Sequence, residues 1–197
     1  MNKPKYGIAR IFPTLIFVID CSELIDEVLD IVETVEWKNK DYNDSTKDFF
    51  ILSRYSELSK KFDDKVNTCL SELDYVIPFK MSSSWFTRTK PNQLVMEHKH
   101  TNSAWSSVFY FQDDVSNIVF RKRELPMIDV KFSNGDPSTI PYGICDFPAN
   151  KGSMVLFPSD LYHSTNPNET DTYRYSLAMN FMPRGMCYDN DSSYNYQ

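Results

Sequence analysis

The apolar positions change period once along the chain. Leu24, Ile25, Val28, Leu29, Ile31, Val32 and Val35 recur at helical spacing, which predicts a helix ending near Trp37, opened by Asp20 and Glu23 in the manner of a capping box. A second stripe of Leu58, Phe62, Val66, Cys69, Leu70 and Leu73 predicts a helix over 56–73. Before the first helix, the β-branched and aromatic run 9–19 reads as a strand, which Pro13 confines to an edge or bulge. Residues 38–48 read as polar loop. After Tyr75 the alternation is two, and strands are expected at 79–87, 94–100, 104–111, 117–121, 127–132, 153–157 and 173–182, separated by Pro91-Asn92, Asp113-Asp114, Asn134-Gly135-Asp136-Pro137 and Asn166-Pro167-Asn168. Two helices followed by many short strands give a mostly β fold: an antiparallel sandwich or barrel buttressed on one face by helices. With no internal repeat or linker, 1–188 reads as one domain and 189–197 as a polar, frayed tail.

The strand at 173–182 is the most informative. Tyr173, Tyr175, Leu177, Met179 and Phe181 share one face, which is apolar and suited to packing under the helices. The other face carries Arg174, Ser176, Ala178, Asn180 and Met182. Polar groups in the middle of a strand must be hydrogen-bonded if buried. A barrel interior holding an anionic ligand would satisfy them, with Arg174 pairing a carboxylate, Ser176 adding a hydroxyl and Asn180 completing a cofactor-binding face.

The chain has only three histidines. His98 and His100 sit two apart on an extended segment, so both side chains point one way, and His163 closes a later apolar run. Three neutral imidazoles converging from two strands suit a first-row metal. Trp85 and Tyr110 are candidate pocket walls as well as candidate core aromatics.

Bulk properties narrow the function classes. At 197 residues, 41% hydrophobic and 15% aromatic, the chain is long enough for a substantial core. The net charge of −6 argues against nucleic acid as a partner. No run is long enough to span a membrane, and the start Met1-Asn2-Lys3-Pro4 lacks the apolar region of a signal peptide. Cys21, Cys69, Cys145 and Cys187 show no Cys-x-x-Cys spacing, which fits a reducing cytoplasm.

The order of these segments resembles the Fe(II)/2-oxoglutarate-dependent oxygenases. Ile11-Phe-Pro-Thr-Leu15, Ser84-Trp85, His98-Lys-His100-Thr-Asn-Ser103, Ser107-Val-Phe-Tyr110, Lys151-Gly152, His163-Ser164 and Arg174-Tyr-Ser176 are similar to a small group of such oxygenases common in bacteria and their phages. The resemblance spans roughly 9–183 and rests on order and spacing together. It implies a double-stranded β-helix (jelly-roll) core and Fe(II) bound by His98, His100 and His163. It also implies 2-oxoglutarate anchored on Arg174 with Ser176, and O2 as oxidant. Decarboxylation of the co-substrate to succinate and CO2 would accompany hydroxylation of a C–H bond in a small molecule or protein side chain.

Two positions depart from that pattern. His100 stands where the family usually has a carboxylate, so either three histidines bind the metal or a carboxylate such as Asp113 or Asp114 is recruited; Glu97 would point away on a regular strand. Asn92 stands where a glycine often precedes the histidine-bearing segment. Two other classes compete: a cupin-like metal enzyme that does not use 2-oxoglutarate, for which Arg174 has no purpose, and a non-catalytic binding jelly roll, which needs no metal.

Overall fold

The computed structural model describes residues 13–113, 117–122, 143–187, 191 and 193–196. In chain order the elements are β1 (Phe17–Asp20), α1 (Ile25–Val32), β2 (Trp37–Lys38), β3 (Asp44–Thr46), α2 (Ser56–Leu70), β4 (Phe79–Thr89), β5 (Trp105–Phe109), β6 (Ile118–Arg121), β7 (Ile144–Phe147), β8 (Ser153–Pro158), β9 (Tyr162–Thr165), β10 (Arg174–Pro183), β11 (Gly185–Cys187) and β12 (Tyr194–Tyr196). A seven-stranded sheet in the order β1-β8-β5-β10-β4-β3-β2 faces a three-stranded sheet, β7-β6-β9. Every ladder is antiparallel. This is the jelly roll expected from the sequence, with the helices on the outer face of the large sheet.

Alternation along the strands sorts side chains into two cores. Leu177, Met179 and Phe181 of β10 and Met154 and Leu156 of β8 pack with Leu58, Phe62, Val66 and Leu70 of α2. Val155 and Phe157 of β8 turn the other way and pack with Tyr110, Ile118 and Phe120 between the sheets. Strand β4 would break this sorting without its irregularity. Phe181 lies opposite Met81 but Asn180 lies opposite Ser83, so Ser82 is an extra residue, a β-bulge. It shifts the alternation by one position. Phe79, Met81 and Phe86 all reach the helix-side core, while Ser83, Trp85 and Thr87 turn to the cleft between the sheets. Helix α2 also docks by hydrogen bonds. Asn67 accepts from Phe79 N–H at 2.7 Å and donates to its carbonyl at 2.8 Å, and Asp63 accepts from Met81 N–H at 2.8 Å.

The sequence reading needs several corrections. The first helix ends at Val32, and Trp37 opens a strand; Trp37 and Tyr173 sandwich the Arg88 guanidinium at 4.3 and 4.5 Å, where Arg88 also pairs with buried Asp44 at 2.9 Å. The polar loop at 38–48 contains β3, whose three residues are buried, because Asp44, Ser45 and Thr46 all find places against β4. No strand forms over 94–100. The 127–132 strand lies outside the described residues. Strands β7 and β9 were unexpected, as was β12: the alternating Tyr194 and Tyr196 meet edge-on at 4.6 Å and pair with β11, so 194–196 of the tail form a hairpin strand. Asp20 accepts from Ser22 N–H at 3.0 Å, but Glu23 pairs with Lys65 at 2.7 Å in place of a reciprocal cap. Among the described residues, no helix is long and apolar enough to cross a membrane.

Phe62 is fully buried and meets Phe109 edge-on at 5.6 Å, joining α2 to the centre of the large sheet. Phe62→Ala is expected to lower unfolding free energy by about 3–5 kcal/mol, read as a lower urea midpoint with an unchanged m-value.

Candidate metal and co-substrate site

The segment carrying His98 and His100 is extended but irregular, and it lies against the open edge of β9. His98 N–H donates to the His163 carbonyl at 3.0 Å and His163 N–H returns the bond at 2.8 Å, while His100 N–H donates to Ser159 at 2.9 Å. The single bridge between His98 and His163 places their side chains together. Turns bound the segment, with Asn92 and Asn102 at φ 64° and 58°. Asparagine tolerates this left-handed backbone better than other non-glycine residues.

The three rings converge. One ligating nitrogen from each of His98, His100 and His163 lies within 4.8 Å of the others. In each ring Nδ1 faces an oxygen: Met96 carbonyl at 2.8 Å for His98, Asn180 Oδ1 at 2.6 Å for His100, and Leu161 carbonyl at 2.9 Å for His163. A carbonyl oxygen only accepts, so Nδ1 carries the proton and the Nε2 lone pairs point inward. The Nε2 atoms of His98 and His100 are 3.1 Å apart. Two lone pairs that close repel unless a cation or proton lies between them, and the donor set suits a divalent metal. Burial pushes the His163 imidazole down to about 3, reinforced by the neighbouring His98, and burial also lowers His100. Neutral rings are the form a metal requires.

The carboxylates considered as substitutes are elsewhere. Asp113 pairs with Lys151 at 2.8 Å on the surface, and Glu97 pairs with Arg121 at 2.9 Å. Asp114 lies outside the described residues.

The rings open onto a cleft of about 540 Å³. Ser83, Trp85, Thr87, Ser176, Ala178 and Asn180 of the large sheet line it, on a polar face arranged as cross-strand rows. Ser83, Asn180 and Ser106 form one row, Trp85, Ala178 and Val108 the next, then Ser45, Thr87 and Ser176, and finally Thr89 beside Arg174. Trp85 lies tilted against His100 at 5.4 Å, and Phe157 meets His163 edge-on at 4.7 Å. Of the expected cofactor residues, Ser176 lines the cleft near Thr87, and Asn180 is held on His100. Trp85 and Tyr110 both line the cleft.

Arg174 is 7% exposed, and no described carboxylate pairs with it. It donates to the Asn166 carbonyl at 3.1 Å and Thr165 Oγ1 at 2.8 Å, which leaves much of a five-donor group unused. Burial lowers its pKa. Nearby Tyr110 is buried, and its hydroxyl has no hydrogen-bond partner among the described residues; the Ser45 and Thr89 hydroxyls are likewise orphaned. Buried donors left open around an unpaired guanidinium fit a carboxylate-bearing molecule. Thr89, Ser45 and Thr165 were not singled out in the sequence, although Ser83, Trp85, Thr87 and Thr89 alternate visibly.

Residues 83–180 match the family described as "Putative 2OG-Fe(II) oxygenase". The chain belongs to this family. No curated protein sequence matches it. Among solved structures, a 2OG-Fe(II) family oxidoreductase from Burkholderia pseudomallei aligns with TM-score 0.60 and 8% identity over 80% of this chain and 76% of its own. HygX from Streptomyces hygroscopicus, solved with nickel, 2-oxoglutarate and hygromycin B, aligns with TM-score 0.57 and 13% identity over 87% and 84%. A Pseudomonas putida prolyl-4-hydroxylase aligns with TM-score 0.55 and 14% identity over 87% and 94%. At these identities the structural likeness supports the fold, while the family match identifies the enzyme class. The chain is therefore a 2-oxoglutarate-dependent oxygenase using Fe(II) and O2. Membership favours neither the cupin-like enzyme nor the binding module.

The depressed His163 sets a pH dependence. The folded state keeps this ring neutral to about pH 3, whereas the unfolded chain takes up a proton near its ordinary 6.5. The neutral, buried ring therefore favours folding fully above about pH 6.5, and that contribution is lost as pH falls from there towards 3. Metal-free wild type should lose more stability between pH 7.5 and 4.5 than His163→Gln does, measured as urea midpoints. Equal losses would mean that folded His163 is protonated.

Proposed function

We propose that His98, His100 and His163 bind the iron through Nε2, that Arg174 binds the distal carboxylate of 2-oxoglutarate, and that the enzyme hydroxylates a substrate C–H bond. The observation that carries this reading is one cleft with three inward imidazole lone pairs and, along the same sheet face, a buried guanidinium without a carboxylate. Tyr110 would donate its orphaned hydroxyl to that same carboxylate, with Thr165 holding the guanidinium in place. Ser176, in the row next to Arg174, would add a hydroxyl. When bound, the iron and 2-oxoglutarate supply the oxidation, in which the co-substrate becomes succinate and CO2 and one oxygen atom enters the product. The protein's part is to hold three neutral ligands on one face, keep Arg174 desolvated so that its attraction is strong, and wall the reaction off with Trp85, Phe157 and Val108.

The cleft is larger than 2-oxoglutarate needs, and its remaining lining includes Phe49, Met96 and Lys99. The substrate would be a small molecule or a protein side chain entering there. Four unpaired cysteines fit a reducing, cytoplasmic setting.

Truncating a desolvated charged partner costs about 2–5 kcal/mol, so Arg174→Ala should weaken 2-oxoglutarate binding by roughly 30- to several-thousand-fold in anaerobic titrations. Iron binding should change little. Arg174→Lys should fall between, because an ammonium keeps the charge and loses the fork. Tyr110→Phe should cost about 1 kcal/mol, or up to ~3 for a bond to a charged group. Unchanged 2-oxoglutarate affinity in folded Arg174→Ala would remove the anchor. Iron content in the three single His→Ala variants tests the ligands; full occupancy in His163→Ala would end the proposed set.

A further inference from the structure

We propose that Asn180 fixes the tautomer and aim of His100, and thereby sets how tightly the centre holds its metal; this rests on the ligand reading above. Asn180 is then a positioning residue that acts through His100.

The three imidazoles are supported unequally. His98 gives its Nδ1 proton to the carbonyl of Met96 and His163 gives its own to the carbonyl of Leu161. Both acceptors are backbone atoms two residues back in the same segment, so chain geometry alone fixes those tautomers. His100 is held instead by a side chain from β10, Asn180 Oδ1 at 2.6 Å. A histidine ligating through Nε2 must keep its proton on Nδ1, and the group accepting that proton fixes the ring.

An amide can present either end, so something must hold Asn180 with its oxygen towards His100. Ser106 Oγ lies 2.8 Å from Asn180 Oδ1 and 2.7 Å from Ser159 Oγ, while Asn180 Nδ2 donates to Ser83 Oγ at 3.0 Å. One proton order satisfies every contact: Ser159 donates to Ser106, Ser106 and His100 donate to Asn180 Oδ1, and Asn180 donates to Ser83. The β-bulge at Ser82 makes this possible, because it sets Ser83, not Ser82, opposite Asn180. Ser82 Oγ bonds the Asn180 carbonyl at 3.2 Å. A reversed amide would face His100 Nδ1 with a donor and drive the ring proton to Nε2, where it would block the metal.

Co(II) serves as the probe, titrated into metal-free wild type, Asn180→Leu, Asn180→Asp and His100→Ala. Losing a ligand's hydrogen-bond partner typically costs about 10–100-fold in metal affinity, and Asn180→Leu should lose that much. Asn180→Asp keeps an acceptor at the same place and should stay within a few-fold of wild type. In the Co(II) protein, paramagnetically shifted NMR signals from exchangeable ring N–H protons report each Nδ1 directly. Wild type and Asn180→Asp should show one for each histidine, and Asn180→Leu should lose the His100 signal to fast exchange. Wild-type affinity and a retained His100 signal in Asn180→Leu, with His100→Ala weakened, would overturn the positioning role. Equal losses in Asn180→Asp and Asn180→Leu would overturn it as well. Wild-type affinity in His100→Ala would instead overturn the ligand reading. If Asn180→Leu does not fold, Ser106→Ala leaves both ring and amide in place and should speed exchange of that one proton; unchanged exchange would count against the proposal.

Discussion

The reciprocal backbone bonds between His98 and His163 are the constraint on which the site depends. They bind an irregular segment to the free edge of a three-stranded sheet, and in doing so they bring two imidazoles within 4.3 Å of each other, centre to centre. Every other feature of the centre is referred to that pair. His100 follows two residues later on the same side, and its own backbone is tied to Ser159. The large sheet then contributes what the segment cannot, the aromatic wall of Trp85 and the polar support of Asn180. A loop pinned in this way can be irregular without being imprecise, because its backbone groups are satisfied at the positions that matter.

The two faces of the large sheet divide the work. One face buries Phe86, Phe109, Leu177, Met179 and Phe181 beneath α2. Burial there supplies the folding free energy that the other face gives up by holding serines, threonines, an asparagine and an arginine away from water. The orphaned hydroxyls of Ser45, Thr89 and Tyr110 are the residue of that bargain. They cost stability in the empty protein and would recover it when a ligand accepts from them, which links binding to folding.

Much of this was legible in the sequence because strong periodicity survives tertiary context. The stripe Leu58, Phe62, Val66 and Leu70 gave α2, and the alternation at 173–182 gave both the apolar and the polar face of β10. Elements that fold only against a partner left little trace. β3 is three buried polar residues whose environment is the neighbouring strand. β9 is short and begins just after a turn at Ser159–Leu161, so His163 read only as the close of an apolar run. Over 94–100 the alternation places side chains correctly, yet the hydrogen bonds run to scattered partners and no ladder forms. The role of Asn180 was hidden for another reason. Sequence periodicity placed it on the polar face, but which neighbour it meets depends on a bulge on a different strand.

A proposed ligand set with His100 and no carboxylate has a particular charge balance. On the proposed ligand set, three neutral imidazoles leave a divalent ion with its full charge, and along the same sheet face the buried arginine is also uncompensated. A dianionic co-substrate spanning the two would neutralise both at once, and low local dielectric would make that attraction large. Metal and 2-oxoglutarate should then bind with mutual reinforcement, since each relieves a charge that the other leaves exposed to a poorly solvated interior. Neutral ligands also demand more of their supports, because a carboxylate binds a cation in any orientation of its proton-free oxygens whereas an imidazole binds only with the correct nitrogen bare. Backbone carbonyls supply that discipline at His98 and His163, and the serine-held amide of Asn180 supplies it at His100.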